Sequence, residues 1–113
     1  MIRLFMFFEA ASFALAVLIH SGLLISGYAH HRARIAEGVI ALVLTAGLVL
    51  TWIRPDQIGK VGVAAQGFAL FGTLVGVLTI VLGVGPRTLP DVLYHIGIAI
   101  VLVLGLVVAA RGA

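Results

Sequence analysis

The chain has 113 residues, of which 63% are hydrophobic and 10% are charged, and its formal net charge is +3. Water-soluble domains have about 25% charged and about 45–50% apolar residues, so this composition excludes an ordinary soluble domain. The sequence has no cysteine, which excludes disulfides, thiolate metal ligands and cysteine nucleophiles.

The basic residues do not form a nucleic-acid-binding patch. They are scattered at the ends of apolar runs, where membrane proteins keep the charges that set topology. No basic cluster with interleaved aromatic residues is present, so we expect no nucleic-acid partner. The seven positions are Arg3, Arg32, Arg34, Arg54, Lys60, Arg87 and Arg111.

Four apolar runs predict four membrane-spanning helices, at about residues 4–27, 34–53, 62–84 and 91–110. Each is close to the ~20 residues needed to cross ~30 Å of hydrocarbon. The runs are continuously apolar, which is typical of helices and not of barrel strands. The first run begins like a signal peptide, but Glu9 interrupts its core and the run continues to Gly27, so we expect a retained helix.

These runs predict an all-α, integral membrane protein with one domain, residues 1–113, folded as a four-helix antiparallel bundle. An even number of spans places both termini on the same side of the membrane. Four basic residues lie on that side and three on the other, which favours cytoplasmic termini under the positive-inside rule. We therefore expect a bacterial-type inner membrane, with the lipid bilayer as the first partner.

A weak internal repeat is visible when the chain is shifted by 57 residues. The shift aligns "FEAASFALAVLIHSGLLISG" with "AQGFALFGTLVGVLTIVLGV" and places Glu9 on Gln66 and Arg54 on Arg111. This pattern predicts two tandem helical hairpins, although apolar composition alone can produce such a match.

Small side chains form one stripe along the third run. Such a stripe lets helix backbones approach closely in lipid, where van der Waals packing holds helices together. The stripe can face the interior of the bundle or form the seam of a homodimer, and the sequence leaves both open. Its helix-packing residues are Ala65, Ala69, Gly72, Gly76, Thr79 and Gly83.

Each of the other runs also has one face that is smaller or more polar than the rest. We expect these faces to point inward, because a polar group facing lipid stays unsatisfied. They comprise Glu9, Ser12, Ala16, His20, Leu23 and Gly27 in the first run; Arg34, Gly38, Ala41, Thr45, Leu48 and Trp52 in the second, with Glu37 on the shoulder; and Asp91, His95, Ile98, Leu102, Gly105 and Ala109 in the fourth, with Tyr94 on the shoulder.

The polar residues of these faces are predicted to form a cluster near one membrane surface. His20, about seven residues before the predicted end of the first helix, and His95 should lie at similar depth, roughly 8–10 Å inside. The candidates for ligand or proton binding are Glu9, His20, Glu37, Tyr94 and His95. Simpler roles compete with these: Glu9 can snorkel to the interface, and Glu37 and Asp91 can cap helix starts.

This cluster is compatible with three kinds of chemistry. His20, Glu37 and His95 have ligand types that suit a metal ion, although their spacing matches no strong metal motif. The two histidines could instead ligate a b-type haem, or a histidine and tyrosine could bind a quinone headgroup. The ionisable residues could also support proton-coupled transport. The sequence does not identify a cofactor.

Two resemblances extend these observations. The strings "WIRPDQIG", "AAQGFALFGTLVG" and "GVGPRTLPDVLYHIG" resemble a group of small bacterial membrane proteins to which no function is assigned. The length, the four spans, the acid in "FFEAASF" and the Gly-rich third helix are more loosely similar to the small multidrug resistance transporters. That second resemblance implies that Glu9 binds protons and cationic substrates in an antiparallel homodimer.

We therefore expect a membrane protein of the assembly or interaction type, as a homo-oligomer or as an accessory subunit of a membrane complex. The first alternative is a proton-coupled transporter or ligand-binding bundle. The second is a subunit that binds haem, quinone or metal. No hydrolase or phosphate-binding motif is present, so we do not expect an enzyme.

Overall fold

The computed structural model describes residues 1–113 and contains four long helices. They are α1 (Ile2–His20), α2 (His31–Ile53), α3 (Ile58–Leu82) and α4 (Leu89–Arg111), with a single 3₁₀ turn, Pro55–Gln57, before α3. All four are long and apolar enough to cross a membrane. The predicted all-α bundle of four spans is confirmed, and the helix bounds differ from the prediction mainly at the end of α1.

The helices pack as two hairpins, α1 with α2 and α3 with α4, and α2 and α3 join them. A core of buried apolar side chains runs between them, including Met6, Leu44 and Leu102, which are 0% exposed. The outward surface is also apolar; Leu42, for example, is 71% exposed. Large apolar side chains on the outside of a bundle have their natural environment in lipid.

The first helix ends seven residues earlier than predicted. It stops at His20, and Gly22 and Gly27 adopt positive φ angles of 81° and 89°. Glycine adopts such angles without steric cost, so each allows the chain to turn although Leu23, Leu24 and Ile25 between them are apolar. We call residues 21–30 the α1–α2 segment. His20 is therefore the last residue of its helix, and the predicted depth within that helix is wrong.

The small-residue stripe of α3 packs mainly inside its own chain. A methyl group placed on Gly47 of α2 would lie 2.9 Å from the Ala65 Cβ, and one on Gly72 would lie 2.8 Å from Ile40 Cδ1. Ala65 and Ala69 are buried. Gly83 is not a packing residue, because it is the C-cap of α3 with a φ of 84°. The stripe thus serves the interior of the bundle.

The inward face of α4 is the one predicted, since the six buried residues of the helix are the six predicted ones. In α2 the buried face is rotated, and Ile40, Leu44 and Thr51 are buried while Trp52 is 59% exposed. In α1, Glu9, Ala16 and His20 are buried as predicted, whereas Leu23 and Gly27 lie outside the helix and are exposed.

The helix bounds are consistent with two tandem hairpins. A shift of 57 residues carries His31–Ile53 onto 88–110, one residue from the bounds of α4. The same shift carries Ile2–His20 onto 59–77, inside α3. The two halves of the chain therefore have helices in matching positions, although α3 extends five residues further.

The two chain ends lie at the same end of the bundle. A methyl group on Gly112 would lie 3.2 Å from Ile2 Cδ1. At this end the Arg3 guanidinium donates to Thr51 Oγ1 and to the Thr51 carbonyl, at 3.1 and 2.7 Å, and lies over the Trp52 ring. We call this the terminal end, and we call the opposite end, with the α1–α2 segment, the loop end.

Candidate functional site

A histidine bridges two carboxylates at the loop end. His20 Nδ1 lies 2.7 Å from Glu37 Oε2, and His20 Nε2 lies 3.1 Å from Asp91 Oδ1. All three residues are buried, with 5%, 5% and 6% of their surface exposed. The cluster therefore joins α1, α2 and α4 through one imidazole ring.

The number of protons in this cluster follows from hydrogen-bond geometry. Carboxylates are acceptors and a neutral imidazole has only one N–H, so each of the two contacts needs a proton of its own. With two protons the cluster carries a net charge of −1, whichever atom of each contact holds the proton. His20, Glu37 and Asp91 thus act as one titrating unit.

Local structure fixes the positions of these groups. Asp91 belongs to a capping box at the start of α4, in which Asp91 and Thr88 bind each other's backbone N–H. One oxygen of Asp91 serves this cap and the other contacts His20. The His30 backbone N–H donates to the His20 carbonyl at 2.8 Å, which holds the α1–α2 segment over the cluster.

His95 has one ring nitrogen occupied and one facing a cavity. Its Nδ1 donates to the Asp91 carbonyl at 2.7 Å, and a carbonyl can only accept, so Nδ1 carries the proton. In the neutral ring Nε2 is therefore an acceptor. A methyl group on Gly76 would lie 3.0 Å from this nitrogen, so the glycine leaves room for it.

A cavity of about 220 Å³ extends from the loop end into the bundle, mainly between α2 and α3; we call it the α2/α3 cavity. Glu37, Tyr94 and His95 line it on one side, and Arg32 lines it at the exposed loop end. The remaining wall is mostly apolar or small and includes Phe13, Ala36, Ile40, Gly72, Val75, Gly76 and Ile98.

A second cavity of about 200 Å³ lies between α1 and α4 beneath the α1–α2 segment; we call it the α1/α4 cavity. His20 and Asp91 line it, and Glu37 does not. Tyr94 lines both cavities, and its buried hydroxyl has no hydrogen-bond partner. The His20 cluster and Tyr94 therefore separate the two cavities.

A second polar site lies closer to the terminal end. Glu9 and Gln66 are both 0% exposed, and neither oxygen of Glu9 nor Gln66 Oε1 has a donor. Gln66 Nε2 donates to the carbonyls of Gly62 and Gly105, which directs its Oε1 away from them. A methyl group on Gly105 would collide with Gln66 Oε1 and lie 2.7 Å from Glu9 Oε1. A proton on Glu9 would supply the donor that these oxygens lack.

The sequence candidates fall into two groups in space. His20, Glu37, Tyr94 and His95 come together at the loop end, as predicted, whereas Glu9 lies apart from them against Gly105. Glu9 does not snorkel to the surface, because it is fully buried. Glu37 is no cap, since the N-cap of α2 is His30.

The structure extends the roles of two residues. Asp91, which the sequence places in the polar cluster as a cap, is both a cap and a partner of His20. Gln66 accompanies Glu9, and in the sequence only the 57-residue alignment connects these two residues.

The geometry bears directly on the metal and haem hypotheses. No three His, Asp or Glu side chains are arranged as ligands of a common ion, so His20, Glu37 and His95 do not form a ligand set. Both nitrogens of His20 contact carboxylates, which leaves neither free to bind haem iron opposite His95. In this arrangement His95 Nε2 is the one imidazole nitrogen of the predicted pair that is open to a ligand.

Comparisons with protein-family models, with curated proteins and with solved structures gave no match to this chain.

Proposed function

We propose that this protein is a ligand-binding membrane bundle. It binds a small, largely apolar molecule with one hydroxyl-type head group in the α2/α3 cavity. The observation that carries this proposal is a 220 Å³ cavity that adjoins a buried acid–base cluster and contains an imidazole nitrogen without a partner. Pockets with apolar walls and a few converging polar groups are the usual form of small-molecule sites.

The polar groups of the residues that line the cavity define the ligand chemistry. His95 Nε2 accepts a hydrogen bond, and the Tyr94 hydroxyl has a proton to donate. A hydroxyl group can donate to the first and accept from the second. The apolar wall formed by Ile40, Val75 and Ile98 suits a ring or a short alkyl chain.

Two probes that differ by one hydroxyl group test this proposal: 4-butylphenol and butylbenzene, titrated into the purified protein and followed by ligand-observed NMR. A net hydrogen bond contributes about 1 kcal/mol, so we expect 4-butylphenol to bind about fivefold more tightly. Gly76→Ala places a methyl group against His95 Nε2 and should remove this preference.

Gly67→Ala is the matched control, because it changes a glycine of the same helix with no heavy atom within 4 Å of the added methyl group. This variant should bind both probes like the wild type. Equal affinity for the two probes in the wild type, or equal behaviour of the two alanine variants, would contradict the proposed site.

Assembly with a second copy or with another membrane subunit is a second candidate function. The small-residue stripe of α3 does not favour assembly, because it packs within the chain. A different feature does: a groove of about 330 Å³ on α3 and α4 is lined entirely by apolar side chains. Its lining residues are Leu70, Leu74, Ala99, Ile100, Val103 and Leu104.

Cysteine cross-linking tests this candidate, because the natural chain has no cysteine. If a second copy occupies the groove, Ile100→Cys should form a disulfide-linked dimer in membranes under mild oxidation. Leu42→Cys, on the exposed face of α2, is the control and should remain monomeric. Equal cross-linking at both positions would indicate random collision.

We further propose that the protein lies in a bacterial-type inner membrane with its terminal end in the cytoplasm. The support is the excess of basic residues at that end, four against three. A cysteine placed in the α1–α2 segment, such as Ser26→Cys, should then react with a membrane-impermeant maleimide from the outside of intact cells.

A further inference from the structure

We propose that His20 is a proton-exchange route that connects Glu37, on the α2/α3 cavity, with Asp91, on the α1/α4 cavity. The species that moves along this route is a proton. Its use during ligand binding rests on the proposed function, but the route itself is independent of any ligand.

The placement of the three side chains carries this inference. Glu37 lines the α2/α3 cavity, while Asp91 and His20 line the α1/α4 cavity. The two ring nitrogens of His20 lie 2.7 and 3.1 Å from the two carboxylates, both within hydrogen-bond distance. We expect this route to be the main path for the proton whether or not a molecule fills the α2/α3 cavity, because Glu37 Oε2 faces the imidazole at 2.7 Å.

The exchange step balances in atoms and charge. In one state Glu37 Oε2 and His20 Nε2 each carry a proton, and Asp91 is ionised. The Glu37 O–H bond breaks as an N–H bond forms at Nδ1, while the Nε2 proton passes to Asp91 Oδ1. Asp91 then releases this proton to water in the α1/α4 cavity. The reverse sequence reloads Glu37 and restores the original tautomer, so the ring need not rotate.

Glu37 and Asp91 form ion pairs only with His20; Arg32 lines the α2/α3 cavity at its exposed end, and Tyr28 lines the α1/α4 cavity. α4 contributes Tyr94 and His95, and the α1–α2 segment contributes His30, whose ring centre lies 6.4 Å from that of His20. His30 Nδ1 already accepts from the Ala33 backbone N–H, and His95 Nδ1 is bound to the Asp91 carbonyl. The ionisable residue of α3, Lys60, lies near the opposite end of that helix.

The test measures the exchange with water of the proton between His20 Nδ1 and Glu37. The full chain is labelled with ¹⁵N-histidine and reconstituted in lipid nanodiscs, without added ligand, for NMR. Asp91→Asn leaves Glu37 and His20 in place and acts at the other ring nitrogen, yet we expect it to slow this exchange at least tenfold. Asp56→Asn, an exposed carboxylate at the terminal end, should leave the rate unchanged.

If Asp91→Asn does not fold, a second variant that narrows the α1/α4 cavity tests the same proposal. Ile25→Trp enlarges a side chain that lines the α1/α4 cavity and leaves all three members of the cluster intact. It should also slow the exchange at least tenfold. A wild-type rate in either variant that folds overturns the proposal, because the proton must then leave through the α2/α3 cavity. Since no ligand is used, this result is independent of the phenol-binding test.

Discussion

Replacing Gly105 by alanine is expected to lower the free energy of unfolding by about 3 kcal/mol. The added methyl group would collide with Gln66 Oε1 and lie 2.7 Å from Glu9 Oε1. Overpacking a tight core costs about 1–3 kcal/mol, and displacing Gln66 also breaks its hydrogen bonds to the carbonyls of Gly62 and Gly105. SDS-induced unfolding in mixed micelles, followed by circular dichroism, measures the effect.

Gly97→Ala is the control for this prediction. It makes the same change in the same helix, but no heavy atom lies within 4 Å of the added methyl group. Alanine favours the helix by up to about 1 kcal/mol relative to glycine, so this variant should be neutral or slightly more stable. Similar losses in the two variants would show that the Glu9–Gln66 contact is not tightly packed.

Replacing His20 by alanine is expected to cost about 3 kcal/mol. The change leaves Glu37 and Asp91 buried without the group that both contact, and removing one member of a buried ionic cluster costs about 3–5 kcal/mol. His30→Ala should cost only about 1 kcal/mol, because His30 serves as the N-cap of α2. The same unfolding measurement compares the two variants.

The His20 variant should also lose the preference for 4-butylphenol over butylbenzene to a greater extent than the His30 variant. Loss of the cluster frees Glu37, which lines the α2/α3 cavity beside His95, whereas His30 lines the same cavity but makes no hydrogen bond to Glu37. If the two histidine variants lose equal stability and equal binding preference, then His20 has no special place in the site.

The number and type of the helices could be predicted from hydropathy, but the end of α1 could not. The segment "SGLLISG" is apolar enough to extend a helix, but its two Ser-Gly dipeptides are turn signals. In the structure Gly22 and Gly27 take positive φ angles, and the leucines between them are exposed outside the helix. The end of α1 is therefore set by these turn signals and not by hydropathy.

The inward faces could be predicted where polar side chains need partners from other helices. Asp91 and His95 mark the buried face of α4 for this reason. Thr45 misled the prediction for α2, because its hydroxyl donates to the Ala41 carbonyl within the helix and can therefore face lipid. A hydroxyl that satisfies itself locally carries no information about the interior of a bundle.

The two polar sites differ in how far the sequence could reveal them. The loop-end cluster could be anticipated, because its members lie near helix ends whose order follows from the topology. The burial of Glu9 depends on a glycine almost 100 residues away that leaves space on α4. No local pattern around Glu9 contains that information.

The opposition of Glu9 and Gln66 has a consequence for how such a chain can arise. The two residues occupy equivalent positions in the two hairpins, 57 residues apart. A symmetric dimer of a single hairpin would present the same residue twice, as two acids competing for a proton or as two amides. After gene fusion the two halves can diverge and set an acid against an amide, which is a chemical asymmetry that self-association of identical hairpins forbids.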